Sequence, residues 1–388
     1  MKKVYLDSNA TTRVHPNVAK EMLPFFSEVY GNASSVHFFG REAKKFLETA
    51  RARTAHLINA DSADEIIFTS GGTEADNHAI KGVAQASKGR GRHIITSSVE
   101  HKAVLSTCKD LEKQGYEVTY LDVDECGRID PDELEKSIRD DTILVTIMTA
   151  NNETGTVMPV EEIGRIAFEK KVLFHTDAVQ AAGKIAFDVK KIRAQLVSLS
   201  AHKIYGPKGV GALYVKKGTE IEPVYHGGHQ EKGRRPGTEN IPAIVGFGKA
   251  CEIAANQLDE YSKKTSRLRD VLYKRIMNEI KYVKLNGHPG ECLPNTLNVS
   301  FRYLEGESII LSLDLEGIAV STGSACTSGS LEPSHVLKSM GVEPISLQGS
   351  VRFSFGTFNT EEDVDYVMKK LPPIIERLRK MSPVYKVE

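Results

Sequence analysis

Between Asp64 and Val215 the chain repeats one pattern: a short apolar run, a polar cluster, then a helix-like stretch. The runs EIIFTS, HIITSS, ILVTIMTA, VLFHTD, LVSLSA and GVGALYV read as strands. Such runs alternating with helical segments predict an α/β fold whose largely parallel sheet is covered on both faces. Open sheets of this kind bind ligands beyond the carboxyl ends of their strands. Here those ends carry GGTEADN, VEHKAV, NNETG, DAVQ and HKIYGPKG, a concentration of polar and charged groups.

Past the glycine-rich HGGHQEKGRRPGTEN, a helical pattern runs from about Pro242 to Ile280, with Leu268, Leu272, Ile276 and Ile280 at four-residue spacing. The order of signals then changes. NTLNVSF reads as a strand, GESIILSLDLEG as a helix, IAVS and GSVRFSF as strands. We expect a large domain over residues 16–256 and a smaller α+β domain over 257–388, joined by residues 1–15. In GSVRFSF, Val351, Phe353 and Phe355 face one way while Ser350, Arg352 and Ser354 face the other. A strand arginine on a polar face is usually a surface residue, but a guanidinium is also the common bidentate clamp for a carboxylate.

Composition narrows the class. Lys+Arg and Asp+Glu number 51 each, so no overall field favours nucleic acid or an anionic membrane. No apolar run nears the ~18 residues of a membrane span. The amino-terminal apolar run VYL is too short for a signal peptide. Five cysteines without a CxxC pair argue against a disulfide framework or a zinc ribbon. A cytoplasmic protein without a resident metal is expected.

Four strand-end features carry candidate chemistry. In EIIFTSGGTEADN a glycine turn enters a helix, where backbone N–H groups and the Thr73 hydroxyl can cradle a phosphate; Thr73 could equally be an ordinary cap. The segment matches neither GxxxxGK[ST] nor GxGxxG, so it lacks a nucleotide fingerprint. Asp177 ends VLFHTD, as a turn cap or as a carboxylate for a protonated ring nitrogen. His101 could stack on a flat cofactor, or cap and pack. Lys203 directly follows an apolar strand, where desolvation suits a lysine to Schiff-base chemistry. Together these are the parts needed to hold pyridoxal phosphate.

YLDSNATT, SSVEHKAV, ANNETGT, FHTDAVQAAGK, SAHKIYGPKGVGALY and STGSACTSGSLEPSHVL resemble the cysteine desulfurases of the NifS/IscS type. These are fold-type I pyridoxal phosphate enzymes of the class V aminotransferase group. The resemblance implies a mostly parallel seven-stranded sheet in the large domain. It implies that Lys203 carries pyridoxal 5′-phosphate as an internal aldimine, that Asp177 pairs with the pyridine nitrogen, and that Gln180 meets the phenolic oxygen. His101 falls over the ring, Gly72, Thr73, Ser200 and His202 at the phosphate, and Asn152 near cofactor and substrate. Arg352 matches the substrate-carboxylate arginine. Thr238 matches a residue reaching the phosphate of a neighbouring subunit, which implies a homodimer. Three positions depart from the family pattern: Ala33 changes backbone stiffness, Pro236 is expected to reshape the loop while leaving Thr238 intact, and Thr357 replaces a frequent arginine.

Cys326 lies in STGSACTSGS, where almost nothing can join a core. Segments of Gly, Ser and Thr behave as flexible loops, and an exposed thiol on one can travel between sites. Cys108 and Cys251 sit in helical patterns as packing residues, and Cys126 and Cys292 in loops. His226 and His229 lack partners at metal-ligand spacing. The expected reaction takes sulfur from L-cysteine, leaving L-alanine and a persulfide on Cys326. His101 could handle the substrate thiol proton, and the sulfur then passes to an acceptor or iron–sulfur scaffold protein. Two alternatives stay open: a selenocysteine lyase or other class V enzyme, for which Cys326 is dispensable, and a non-catalytic scaffold with Cys326 as a transient iron–sulfur ligand.

Overall fold

The computed structural model describes residues 2–322 and 333–385. Its strands are β1 (Val4–Tyr5), β2 (Ile66–Thr69), β3 (His93–Ser97), β4 (Glu117–Leu121), β5 (Thr142–Thr146) and β6 (Leu173–Asp177). They continue as β7 (Leu196–Ser200), β8 (Gly211–Val215), β9 (Val283–Asn286), β10 (Thr296–Phe301), β11 (Ile318–Ala319) and β12 (Ser350–Ser354). Seven of them form the central sheet in the order β2-β8-β7-β6-β5-β3-β4. Only β8 runs against its neighbours.

The central strands are buried along their whole length, which is why they read as continuous apolar runs. The edge strand β4 escapes that pattern. Its residues EVTYL are mostly half-exposed and mix charge with apolar groups, so no run marks it. Helix Gly72–Ala86 covers one face through Ala75, Ala79, Ile80 and Val83. On the other face, helices Phe38–Leu57 and Ile241–Asn256 pack tightly, because a Cβ at Gly248 would stand 2.5 Å from the Ala50 Cα.

The single helix expected over 242–280 is two, Ile241–Asn256 and Leu258–Glu279, broken at Gln257 with φ −113° and ψ 11°. Neither Gly nor Pro marks the break. Its cause is a change of core: Ile244 and Phe247 pack beneath the central sheet, whereas Leu268, Leu272 and Ile276 belong to a second core. Ile280 leaves the helix in extended backbone and is still buried.

The second core surrounds the antiparallel sheet β12-β10-β9 and the parallel pair β1-β11. Val4 and Leu6 pack there with Phe301, Phe353 and Leu371. The short β9 was not foreseen from its sequence VKLN. Val336, Leu337 and Met340, although late in the chain, pack into the first core. The residues between β1 and the first helix therefore thread between two bodies. Thr12 donates both its N–H and its hydroxyl to the His202 carbonyl, while the Ser8 N–H donates to that of Ser354.

Candidate active site

β2, β7 and β6 end on the same edge of the sheet, with the start of β8 between β2 and β7, and the turns after them build an anion cradle. Helix Gly72–Ala86 opens without a side-chain cap; its N-cap is Gly71, so Thr73 is not the ordinary cap. First-turn N–H groups have no partner within a helix and carry its positive dipole end. A cleft of about 360 Å³ faces them, lined by Gly72, Thr73, Ser200, His202, Thr11 and Lys208. At Gly72 a Cβ would stand 2.8 Å from Val179 Cγ2, so only glycine keeps this approach open. Lys208, in the GPKG turn, and Thr11, which hydrogen-bonds His202 Nδ1 at 3.1 Å, extend the expected set.

Asp177 is buried at the end of β6, its Oδ1 accepting from the Val179 N–H at 2.8 Å. Burial pushes its carboxyl up, against the opposing pull of His101 and Lys203. A buried carboxylate with one backbone partner is suited to receive a cationic ring nitrogen. His101 is the N-cap of helix Lys102–Glu112: its Nδ1 accepts from the Ala103 N–H at 3.1 Å. Capping therefore places the neutral ring's proton on Nε2, so the two expected uses of His101 are compatible.

A buried acid–imidazole layer underlies this edge and was not foreseen. His175, two residues before Asp177, bonds Thr146 Oγ1 at 2.8 Å and Ser198 Oγ at 3.0 Å. Burial drives it down to about 3, so it is neutral. Asp76 Oδ1 stands 3.7 Å from its Nε2, and burial together with the Asp177 charge raises Asp76 well above the usual range. Glu100, bonded by the Ser97 hydroxyl and the Met148 N–H, is pushed up to about 8 by burial. Polar letters inside apolar strands give no sign of which neighbours will surround them.

The amino-terminal segment joins Lys203 to Arg352. Lys203 Nζ donates to the carbonyls of Asn9 at 2.6 Å and Ala10 at 2.8 Å. Gln180 Nε2 donates to the same Asn9 carbonyl at 2.9 Å. Asn9 Nδ2 reaches the Asn152 carbonyl at 3.2 Å, and Arg352 Nη1 donates to that carbonyl at 2.8 Å. Arg352 is only 2% exposed, so the polar face of β12 is not a surface. Asn9 and Asp7 lie in YLDSNATT, a motif that was visible but suggested no role for either.

Thr238 is exposed and lies outside this cleft. Its loop is held by Arg235, whose Nε lies 2.8 Å from Glu74 Oε1. Cys326 falls outside the described residues. Cys108 and Cys251 are buried packing residues, each pushed up to about 12 by burial. Cys126 and Cys292 are half-buried in loops. His226 and His229 are exposed, and no cluster of three or more metal-ligating side chains occurs among the described residues. Ala33 packs in the first core. The Pro236 carbonyl accepts from Arg235 Nη1 at 3.3 Å. Lys264 Nζ donates to the Thr357 carbonyl at 2.6 Å, placing a cation beside the position where an arginine is absent.

The aminotransferase class-V family model matches residues 4–367. The chain belongs to that family. It is 53% identical over 383 residues, 99% of its length and 94% of the relative's, to a cysteine desulfurase IscS of Methanosarcina thermophila. It is 54% identical over 388 residues, all of its length and 98% of the relative's, to a cysteine desulfurase IscS of Dictyoglomus turgidum. A solved NifS-like protein superposes with a TM-score of 0.92 at 44% identity, covering 97% of this chain and all of that one. As a class-V aminotransferase family member the chain is a fold-type I enzyme, and its cofactor is pyridoxal 5′-phosphate. The residues fit that group: the Gly72 cradle suits its phosphate and Asp177 its ring nitrogen.

Proposed function

We infer that the chain is a cysteine desulfurase, taking sulfur from L-cysteine and leaving L-alanine. The observation carrying the mechanism is the continuous line Lys203–Asn9–Asn152–Arg352, which sets an amine and a guanidinium at two ends of one hydrogen-bonded network beside Asp177.

In this reading Gly72, Thr73, Ser200 and His202 hold the phosphate of pyridoxal 5′-phosphate, and Thr238 of one subunit reaches that of the other. Asp177 holds the ring nitrogen, Gln180 the phenolic oxygen, and His101 packs against the ring. Bound there, the cofactor supplies an acceptor for the electrons released at the substrate Cα. Arg352 clamps the substrate carboxylate, near Asn152. Lys203 takes and returns the Cα proton, and His101 handles that of the substrate thiol. The Cys326 thiolate attacks the substrate sulfur: an S–S bond forms, the C–S bond breaks, and a proton completes L-alanine. The persulfide sulfur then passes to an acceptor or iron–sulfur scaffold protein.

We also propose a homodimer. Thr238 is exposed, as an inter-subunit contact requires, and Leu23, Phe26, Tyr30, Val36 and Phe38 are exposed on one stretch of chain. Patches of this kind on a soluble protein mark interfaces. The division into residues 16–256 and 257–388 with 1–15 is part of the same proposal, supported by Val4 and Leu6 packing with Leu268 and Phe353. A cytoplasmic location accords with the absence, among the described residues, of any helix long and apolar enough to cross a membrane.

The test supplies L-cysteine and a reductant, then quantifies alanine and sulfide for the parent and Cys326→Ala. Equal yields in the parent and loss of both in the variant support the reading. Undiminished turnover in Cys326→Ala removes the persulfide role, and a parent that binds no pyridoxal 5′-phosphate removes the cofactor assignment.

A further inference from the structure

Lys184 is 1% exposed, in the turn after β6, and makes no ion pair among the described residues. Its Nζ donates to Gln180 Oε1 at 2.6 Å and approaches Asn9 Oδ1 at 3.3 Å. Burial, reinforced by two nearby cations, Lys203 and Arg352, holds the amine well below the usual lysine range. Burying an amine without a counter-ion is costly, and an apolar side chain of equal length would avoid the cost. The role of the amine must lie in what it touches.

Both of its acceptors are amide oxygens, and amides are the side chains whose two ends are interchangeable in shape. With one Nζ hydrogen for each of two acceptor oxygens, Lys184 holds the Gln180 oxygen toward itself. Gln180 Nε2 is thereby turned to the Asn9 carbonyl, which also accepts from Lys203 Nζ. The Asn9 side-chain oxygen accepts from Lys184 and from Asn295 Nδ2 at 3.0 Å. Its Nδ2 is then committed to Thr296 Oγ1 at 2.8 Å and the Asn152 carbonyl. One buried amine thus sets the orientation of two amides flanking Lys203.

We propose that Lys184 is a positioning residue: by holding the Gln180 oxygen it directs one Gln180 N–H to the Asn9 carbonyl, leaves the second for the cofactor, and fixes Asn9, whose carbonyl holds the Lys203 amine. The inference rests on the pyridoxal phosphate reading above. Lys184 touches neither substrate nor reacting atom; it acts through Gln180.

The experiment compares the holoenzymes of Lys184→Met, Gln180→Leu and the double variant. The readouts are the visible absorption band of the bound cofactor, the thermal midpoint and steady-state kinetics. Each single variant shifts the band and lowers kcat about tenfold, with KM for L-cysteine changed less than about twofold, as loss of one positioning hydrogen bond predicts. The double variant is no worse than the poorer single one, because the two act as a unit. Lys184→Gln, which keeps an N–H donor, moves the band back toward the parent. An unshifted band in Lys184→Met, losses that multiply in the double variant, or a Lys184→Gln band displaced as far as that of Lys184→Met would overturn the proposal. Should Lys184→Met not fold, Lys184→Leu takes its place as the reference for the Lys184→Gln band, and an unshifted band in Lys184→Leu overturns the proposal. A parent without bound cofactor counts against the functional reading instead.

Discussion

Arg352 Nη2 lies 2.8 Å from Asp7 Oδ1, tying the last strand of the second core to the amino-terminal segment that also holds Lys203. With Nη1 on the Asn152 carbonyl, the guanidinium plane is fixed at two points before any substrate arrives. Nε is buried without a partner among the described residues. A planar group held this way is preorganised, and a lysine cannot reproduce its fork.

Arg352→Gln therefore raises KM for L-cysteine about 100-fold, the scale of losing a charge-assisted pair. Arg352→Lys recovers little of that loss. Steady-state kinetics with thermal midpoints as a folding control checks this; a KM within about threefold of the parent removes Arg352 from the carboxylate site.

Arg235 neutralises Glu74, which follows Thr73 and lines the same cleft. Burial works against the Glu74 charge, but Arg235 and Ser70 outweigh it and hold the carboxyl below its usual value, so Glu74 is ionised at neutral pH. Arg235→Met leaves that charge facing the cradle. The Kd for pyridoxal 5′-phosphate then rises about tenfold at low salt, and the loss shrinks as ionic strength increases. Absorbance titration of the apoprotein measures both.

Glu100 sets a pH slope. Its folded pKa of about 8 lies above the ordinary 4.5. Between those values the folded chain keeps a proton that the unfolded chain has lost, so this contribution is fully present below the ordinary value and declines as pH rises toward 8. The slope is at most about −1.4 kcal/mol per pH unit for one proton. Asp76 and Asp177, both raised, act with the same sign. Glu100→Gln flattens the fall in thermal midpoint between pH 5 and pH 8 (roughly the window set by these two values); an unchanged slope assigns it to the aspartates.

Arg51 and Glu231 anchor the loop that carries Thr238. Nη1 and Nη2 bind the two carboxylate oxygens at 2.6 and 2.8 Å, and the Phe68 N–H donates to the same group. Both side chains are buried. Glu231→Gln leaves the buried guanidinium only the half-exposed Glu48, 3.2 Å from Nε, as counter-ion and costs up to about 3–5 kcal/mol, more than an Arg51→Met/Glu231→Met pair, because desolvation of one poorly compensated charge outweighs loss of both. Denaturant midpoints compare them.

Strands β2, β3 and β5 to β8 were legible because burial on both faces writes an unbroken apolar run. Edge strand β4 and the short β9 were not, since half-exposed strands mix residue types. The break at Gln257 was invisible for another reason: both flanking helices keep four-residue periodicity, and only the core each one faces differs.

For the candidate site, Gly72, His101, Asp177, Lys203 and Arg352 were singled out from the sequence alone, because each expected chemical task admits few side chains and each lies in a motif shared with the family. Tertiary structure decided their state. Burial raises Asp177, a helix N-terminus selects the His101 proton, and Asn9 gathers Lys203, Gln180 and Asn152 across long stretches of chain. Desolvation and hydrogen-bond direction depend on neighbours brought together only by folding, and no local pattern records them.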